Sequence, residues 1–377
     1  MCVRVYIFGC VCVCVYVRFI KTDLLPEMVY NRCFCESGSR EFVEFESAIV
    51  ESLETPDHSI KPWELYRVKA VVRFSGEPVS FPLIVKLLPS SVQSENSFGR
   101  FQNEEMFYSK MISLYGKDLF PKCYASDMGR YGMPVIVLED LTANEYEMIQ
   151  EKRGMNEEEL KLSLKSLGRF HGIGLRLKNE KFQLFREFYM KLSNTVLSKD
   201  LSENFSDFYR SIEFSDDNSL ENSLLVKEMK KLWDNNIGEN ASETCTNVDD
   251  ISCICHGDFS KRKVLFKREK NGTPIDVKMI DWQTMRYCSP AIELVIIFIM
   301  NIPTPSRDQR FLQEILTVYV DAVRSEYTSI TCERLIEQLS STSLDYFTLL
   351  LQKDTMNKEI VQQWIECIQS FRGFLRD

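Results

Sequence analysis

The stretch from Cys253 to Glu293 constrains this chain most, because it places two aspartates at the two ends of a predicted β-hairpin. Two apolar, β-type runs in this stretch flank Asn271-Gly272, a dipeptide that strongly favours a hairpin turn. A hairpin returns the chain to the place where it started. We therefore expect Asp258, just before the first run, and Asp281, just after the second, to lie close together.

Two ionised carboxylates that lie close together usually require a cation, and a metal ion bound to phosphate is a common partner. Phosphoryl transfer uses such a pair: one acid accepts the proton of the attacking hydroxyl, and the other holds Mg²⁺ against the nucleotide phosphates. Taken singly, Asp258 also fits a turn-forming residue after Gly257, and Asp281 fits a residue that ends a strand. Taken together, with His256-Gly257 before the first, they favour a catalytic arrangement.

Length and composition are those of an ordinary globular protein. The 377 residues fit two domains or one two-lobed unit, with 44% apolar and 27% charged residues. A net charge of -9 disfavours general binding to nucleic acids or anionic membranes, and we expect neither as a partner. The 13 cysteines show no zinc-binding spacing and indicate free thiols in a reducing compartment, so we expect a cytoplasmic protein.

Residues 1–20 form an anomalous segment. The apolar part between Arg4 and Arg18 has 13 residues, which is too short for a comfortable membrane span. No small-residue cleavage site of a signal peptide follows it, and its alternating Cys and Val are also what a TG dinucleotide repeat encodes. We expect residues 1–40 to be an N-terminal extension that is disordered or an artefact of the gene model. A targeting segment is the second alternative for residues 1–20, and a membrane anchor is the third.

The order of the predicted elements indicates the fold class. Strand patterns dominate residues 41–140, whereas residues 141–377 carry mainly helical patterns, beginning with a helix that Asn156 and Glu159 cap. Strands followed by helices indicate an α+β, two-lobed fold, with an N-terminal antiparallel sheet lobe that contains one helix and a helical C-terminal lobe that contains the hairpin at 253–293. Further amphipathic helices are predicted over 306–327, 331–352 and 355–375.

Three ionisable side chains lie inside apolar patterns. Lys86 interrupts a run of aliphatic residues in a predicted strand, where it is either an edge residue that reaches solvent or a cation placed at a site. Glu104 shares a face of the predicted helix 98–115 with Phe101, so an inward position and an ion pair with Lys86 are expected. His171 follows apolar residues at helical spacing, which favours a place at the core edge over a ligand role.

Eight short segments occur in an order and spacing typical of one family: LYRV, LIVK, FQNEEMFY, IVLEDL, LGRFHG, HGDF, MIDWQ and RYCSPAIEL. Over roughly residues 60–340 the chain thereby resembles the ecdysteroid kinase-like family. These proteins are also called choline-kinase-like small-molecule kinases and are relatives of aminoglycoside phosphotransferases. The resemblance implies a protein-kinase-like fold that transfers the γ-phosphate of ATP to a hydroxyl of a small molecule, such as an ecdysteroid or another alcohol.

The resemblance also implies roles for matching residues of the N-terminal lobe. Lys86 corresponds to the lysine that binds the α- and β-phosphates of ATP, and Glu104 corresponds to its partner on the helix. The hinge, which would meet the adenine mainly through backbone groups, corresponds to Glu139, Asp140 and Leu141.

In the C-terminal lobe, the resemblance makes Asp258 the catalytic base and Asp281 the ligand of Mg²⁺. Glu293, after the Ser-Pro-Ala segment, corresponds to an acid that supports the catalytic loop without touching the substrate.

The sequence departs from the family in two places. Where the family has a metal-binding Asn five residues after the catalytic Asp, this chain has Lys263, whose ammonium only donates hydrogen bonds and cannot coordinate Mg²⁺. Lys263 could instead supply a positive charge to the phosphates, which would leave Asp281 to hold a single metal ion. The segment 54–64 lacks the glycine that the family usually has there, so backbone N–H groups cradle phosphates less easily.

Two functions are therefore expected from the sequence. The first is an active kinase that uses ATP and Mg²⁺ on a small-molecule alcohol. The second is a pseudokinase, or a module that binds a nucleotide or another ligand, in which Lys263 and the glycine-free segment impair transfer. A protein kinase fits less well, because HGD and IDW stand where protein kinases have HRD and DFG.

Overall fold

The structure, a computed structural model, describes residues 14–53, 63–90, 94–150, 153–193, 250–301 and 309–341. The chain divides into two compact units, Met1–Glu147 and Met148–Asp377. The sequence placed this division a few residues earlier, between 140 and 141.

A five-stranded antiparallel sheet forms the body of the first unit. In space the strands follow the order β1-β2-β3-β5-β4, so β1 and β4 are its edges. A short strand, β6, comes after the sheet in the chain. The strands of this unit are β1 (Val43–Ser52), β2 (Glu64–Phe74), β3 (Glu77–Leu87), β4 (Cys123–Asp127), β5 (Val135–Glu139) and β6 (Tyr146–Glu147).

The alternation of side chains along β3 decides where Lys86 points. Leu83, Val85 and Leu87 are fully buried on one face of the sheet. Successive side chains of a strand lie on opposite faces, so Lys86 projects from the other face, away from this aliphatic layer.

The aliphatic face of the sheet is covered by a segment near the start of the chain. Residues 14–19 are helical, a π-helical turn follows at Ile20–Leu24, and helix α1 spans Leu25–Tyr30. Disorder, one of the alternatives expected over 1–40, does not describe these residues, because their apolar side chains complete the core of the first unit. The alternative of a gene-model artefact stays a prediction. Residues 1–13 lie outside the described residues. The fully buried members of this segment are Ile20, Leu24, Leu25 and Met28.

The helix predicted over 98–115 begins earlier and contains a π-helical turn. Its parts are α2 (Glu95–Met106), the π-helical turn Phe107–Met111 and α3 (Ile112–Tyr115). A π turn contains one residue more than an α turn, which rotates the residues after it about the helix axis. Tyr115, in the turn that follows, is fully buried.

The second unit is mainly helical, with short strands around the hairpin. Asn156 and Glu159 form the predicted capping box at the start of its longest helix, α4. Its elements are α4 (Glu157–Glu180), α5 (Phe182–Tyr189), β7 (Cys253–Cys255), β8 (Val264–Arg268), β9 (Pro274–Met279), β10 (Arg286–Cys288), α6 (Ala291–Asn301), α7 (Gln309–Arg324) and α8 (Cys332–Ser341).

Helices α4 and α7 pack with their backbones unusually close. A Cβ added at Gly168 would lie 2.6 Å from the carbonyl oxygen of Tyr319, and one added at Gly172 would lie 2.6 Å from that of Val323. Only glycine fits at such distances. This close approach brings His171, between the two glycines, into contact with Tyr319.

The predicted α+β class is confirmed, since an antiparallel sheet unit with its helix precedes a mainly helical unit. Helix α7 corresponds to the helix predicted over 306–327, and α8 to the first part of 331–352. The remainder of that prediction, the helix over 355–375 and most of the segment 54–64 lie outside the described residues. Among the described helices, none has the length and apolar character needed to cross a bilayer.

Candidate active site

The two aspartates at the ends of the hairpin lie against one ammonium group. Strands β8 and β9 pair antiparallel, with Val264 opposite Met279, and so form the predicted hairpin. The Nζ atom of Lys263 donates a hydrogen bond to Oδ2 of Asp281 and lies 3.8 Å from Oδ2 of Asp258. The predicted proximity of the two carboxylates is confirmed, and the cation between them is a lysine of the chain itself.

Gly257 allows the loop before Asp258 to approach the turn that follows Asp281. Its φ is +85°, and a Cβ at this position would lie 1.9 Å from the carbonyl oxygen of Thr284. No other residue fits at that distance. The glycine of the HGD segment is therefore required by packing between two loops as well as by its backbone conformation.

His256 ties the same two loops together through its ring. The backbone N–H of Asp258 donates to Nδ1 at 3.4 Å, so Nε2 carries the proton and donates to the carbonyl oxygen of Ile280 at 2.9 Å. The hydroxyl of Thr284 donates to the carbonyl oxygen of His256 at 3.1 Å. The residue before Asp281 and the loop of Asp258 are thus held by direct hydrogen bonds.

The buried carboxylate of Glu293 supports this loop. It accepts hydrogen bonds from the backbone N–H groups of His256 at 3.0 Å and Gly257 at 2.5 Å. Burial acts to raise the pKa of Glu293, but the hydrogen bond from His171, the nearby histidines and the Gly257 N–H outweigh burial and hold the pKa below its usual value. An ionised acid therefore anchors the segment that presents Asp258.

His171 is fully buried and connects Glu293 to Tyr319. Its Nε2 lies 2.9 Å from the Glu293 carboxylate, and its Nδ1 lies 2.8 Å from the Tyr319 hydroxyl. The sequence placed His171 at the core edge and did not reveal this network, because its partners lie on α6 and α7, far away along the chain.

The His171 ring also lies beside two cysteines in an arrangement that resembles a metal site. One ligand atom from each of His171, Cys253 and Cys255 lies within 4.8 Å of the others, all buried. Both ring nitrogens of His171 are already hydrogen-bonded, and burial raises the pKa of the Cys255 thiol well above its usual value. A metal ion needs a free nitrogen lone pair and thiolates, so this cluster does not fit one.

The backbone of Asp281 is held in an uncommon conformation. Its φ of 70° and ψ of 65° lie in the left-handed region, which residues with a side chain seldom adopt. Strained backbone of this kind clusters at functional sites, where the surrounding structure enforces it. Here the enforcing contacts are the hydrogen bonds from the Ile280 N–H to the Lys263 carbonyl oxygen, 3.0 Å, and from the His256 ring to the Ile280 carbonyl oxygen.

In the first unit, Lys86 and Glu104 form the predicted ion pair. Nζ of Lys86 donates to Oε2 of Glu104, and both side chains are almost entirely buried. The alternative of an edge lysine that reaches solvent is excluded by this burial. The ring of Trp63 lies over the ammonium at 4.4 Å and that of Phe101 at 5.9 Å, so the cation is further stabilised by aromatic faces.

The residues predicted to form the hinge have their own contacts within the first unit. The carboxylate of Asp140 is buried, accepts from Nε of Arg67 at 2.8 Å and caps the backbone N–H of Thr142 at 3.0 Å. The backbone N–H groups of Glu139 and Asp140 each donate to a carbonyl oxygen of this unit at 2.9 Å. The segment continues at Leu141 into a short 3₁₀ turn.

An ion cluster at the start of α4 holds the hairpin. The buried carboxylate of Glu159 accepts from Arg153 at 2.6 Å and from Arg268 of β8. Burial acts to raise the pKa of Glu159, but the hydrogen bonds from Arg153, Asn156 and Arg268 outweigh it and lower the pKa to about 2. The hairpin that ends at Asp281 is thereby fixed to the capping box of α4.

Comparison with known proteins gives one family. The sequence model of the ecdysteroid kinase-like family matches residues 64–331. No curated protein sequence is significantly similar to the chain.

Among solved structures, a choline kinase from Cryptosporidium parvum Iowa II is similar with a TM-score of 0.44 and 10% identity, over 87% of this chain and 90% of that one. An aminoglycoside phosphotransferase from Alicyclobacillus acidocaldarius subsp. acidocaldarius DSM 446 is similar with a TM-score of 0.40 and 11% identity, over 85% and 90% of the two chains.

Proposed function

The chain belongs to the ecdysteroid kinase-like family, and from that premise we propose that it is an ATP-dependent phosphotransferase. It would move the γ-phosphate of ATP to a hydroxyl of a small molecule, an ecdysteroid-like or other alcohol. The free thiols of the described cysteines suit a reducing compartment, so the cytoplasm is the proposed location.

One observation carries the proposal: Asp258 and Asp281 meet around one cation at the open end of the hairpin. Transfer of a phosphoryl group from ATP needs little covalent chemistry from a protein. It needs an acceptor for the proton of the hydroxyl, opposite charge for the phosphates and rigid positioning of both. Asp258 and Asp281, held by Gly257, His256 and the buried Glu293, supply such a rigid arrangement.

The two carboxylates would divide the work. Asp258 would accept the proton of the substrate hydroxyl as that oxygen attacks the γ-phosphorus. Asp281 would hold Mg²⁺, since a carboxylate is the hard oxygen ligand that this ion prefers. When bound, Mg²⁺ neutralises charge on the phosphates. Lys263 cannot act as a ligand, so a single metal position is proposed.

The first unit would bind the nucleotide. Lys86 would donate to the α- and β-phosphates, and Glu104 would fix the orientation of its ammonium. Burial of both groups limits the conformations of Lys86, which favours a pre-organised phosphate contact. Leu141 and its neighbours would meet the adenine.

Lys263 also favours a second candidate function, a module that binds a nucleotide or another ligand and transfers phosphate poorly. Lys263 replaces the metal-binding Asn of the family, and its ammonium lies between the two acids. The loss of one electrostatic group in an active site costs about 3–4 kcal/mol of transition-state stabilisation.

A paired measurement separates the two functions. Purified protein is incubated with Mg-ATP and a panel of steroid and other alcohols, and phosphoester products are identified by mass spectrometry. The thermal midpoint is recorded with and without nucleotide. Product formation supports the kinase and removes the second candidate. Stabilisation by nucleotide without product across the panel supports the binding module, and a large gain of turnover in Lys263→Asn would show that the natural protein is impaired.

A further inference from the structure

The backbone hydrogen bonds of Lys263 hold this residue where its ammonium lies between Asp258 and Asp281. Lys263 is the last residue of a 3₁₀ turn, Lys261–Lys263, and β8 begins directly after it. Its N–H donates to the Ser260 carbonyl oxygen at 2.8 Å, and its carbonyl oxygen accepts from the Ile280 N–H at 3.0 Å. Both peptide groups of the residue are thus fixed to the loops that carry the two aspartates.

The Lys263 ammonium supplies a positive charge between the two carboxylates without a metal ion. Two neighbouring carboxylates repel one another, and one positive charge in contact with both relieves that repulsion. All three side chains are less than one quarter exposed, with 18% for Lys263, 24% for Asp258 and 21% for Asp281, so solvent screens these interactions only in part. A divalent ion on Asp281 would therefore compete with the Lys263 ammonium for the same carboxylate.

We propose that Lys263 is a tethered cation that keeps divalent ions off Asp281 until a nucleotide binds. The phosphates of the nucleotide attract the Lys263 ammonium, which leaves Asp281 and frees its carboxylate for the metal ion. The proposal deepens the proposed function and rests on it. It makes Lys263 a positioning residue that imposes an order: the metal enters together with the nucleotide, and metal alone binds weakly.

Binding of Mn²⁺ to the full-length protein without nucleotide tests this directly. Mn²⁺ takes the same oxygen ligands as Mg²⁺, and electron paramagnetic resonance counts its free and bound fractions. We expect weak binding by the wild type and binding about tenfold tighter or more by Lys263→Met and by Lys263→Gln. Adding Asp281→Asn to either variant should abolish the gain.

A matched control lies on the same hairpin. Lys278 of β9 pairs with Asp276 at 3.6 Å and is 14% exposed. Lys278→Met also removes a largely buried lysine from a carboxylate, but it leaves Lys263 between Asp258 and Asp281, and it should bind Mn²⁺ as weakly as the wild type. A general effect of lost positive charge would raise the affinity of Lys278→Met equally and would overturn the proposal.

The wild type supplies a further test that needs no variant. Mn²⁺ alone should leave its thermal midpoint unchanged, and a rise would overturn the proposal. So would Lys263→Gln and Lys263→Met variants that bind Mn²⁺ no more tightly than the wild type. These measurements involve no substrate and no turnover, so a protein without transferase activity could still give the expected result. Likewise, a protein with transferase activity could still bind Mn²⁺ tightly without nucleotide and so contradict the proposal about Lys263.

Discussion

The imidazole Nε2 of His171 lies 2.9 Å from Oε2 of Glu293, and neither side chain is exposed to solvent. Through the other contacts of Glu293, this pair reaches the backbone of His256 and Gly257, directly before Asp258. A buried ionised acid therefore fixes the loop that presents the proposed catalytic base.

Replacing that acid should destabilise the protein strongly. We expect Glu293→Ala to lower the free energy of unfolding by about 3–5 kcal/mol, because a buried imidazole and two backbone N–H groups lose their acceptor. Urea unfolding followed by circular dichroism measures the change. Glu187→Ala, at an exposed position of α5, is the control and should stay within about 0.5 kcal/mol. A loss of similar size in both variants would refute the anchoring role.

Substitutions at two glycines of positive φ distinguish the cost of backbone strain from the cost of a steric clash. Gly257 (φ +85°) would place a Cβ 1.9 Å from a carbonyl oxygen, whereas Gly272 (φ +90°) has no neighbouring atom within 4 Å of such a Cβ. Gly272→Ala should cost about 1–2 kcal/mol of stability for the left-handed backbone alone. Gly257→Ala should cost clearly more and should also abolish nucleotide-dependent activity. Equal losses in urea unfolding would contradict the contact between the two loops.

Low pH should weaken the ion cluster of Glu159, Arg153 and Arg268 that joins the hairpin to α4. The pKa of Glu159 falls from 4.5 to about 2 on folding, so its contribution is complete above pH 4.5 and is lost as the pH falls through the folded value. We expect about 2 kcal/mol, because the partly exposed Arg153 is screened by solvent. Urea unfolding between about pH 7 and pH 3 should show a shallower decline for Glu159→Gln than for the wild type. Parallel curves would exclude Glu159 as the source.

The ion pair of the first unit should show strong coupling in a double-mutant cycle. Lys86→Met leaves the Glu104 carboxylate buried without its cation and should cost about 3–5 kcal/mol. Lys86→Met with Glu104→Met places two apolar side chains together and should recover most of that loss. Additive losses in thermal or urea unfolding would show that the two residues do not depend on each other.

Local sequence signals predicted the elements that carry the candidate site. Asn271-Gly272 between β-type runs is sufficient for the hairpin, and Asn156 with Glu159 for the start of α4, because these signals act over a few residues. The hairpin geometry then brings Asp258 and Asp281 together without any knowledge of the rest of the chain.

Other features depend on distant contacts and could not be predicted. The segment that contains Ile20 and Leu24 has an unusual composition, and its place in the core appears only when the sheet it covers is known. The π-helical turn at Phe107–Met111 has no clear sequence signal. The position of Lys263 between the two acids depends on the conformation of its side chain, which the sequence does not give. The sequence indicated only that a lysine stands where the family has a metal-binding Asn.

The activity of Asp258→Asn tests the central claim most directly. In an assay with Mg-ATP and an accepted alcohol, this variant should lose about a hundredfold or more in kcat, with nucleotide affinity nearly unchanged, because an amide cannot accept the substrate proton. Asp276→Asn, on the hairpin arm away from the paired carboxylates, should retain wild-type turnover. Wild-type turnover in Asp258→Asn would contradict the assignment of the two aspartates to phosphoryl transfer.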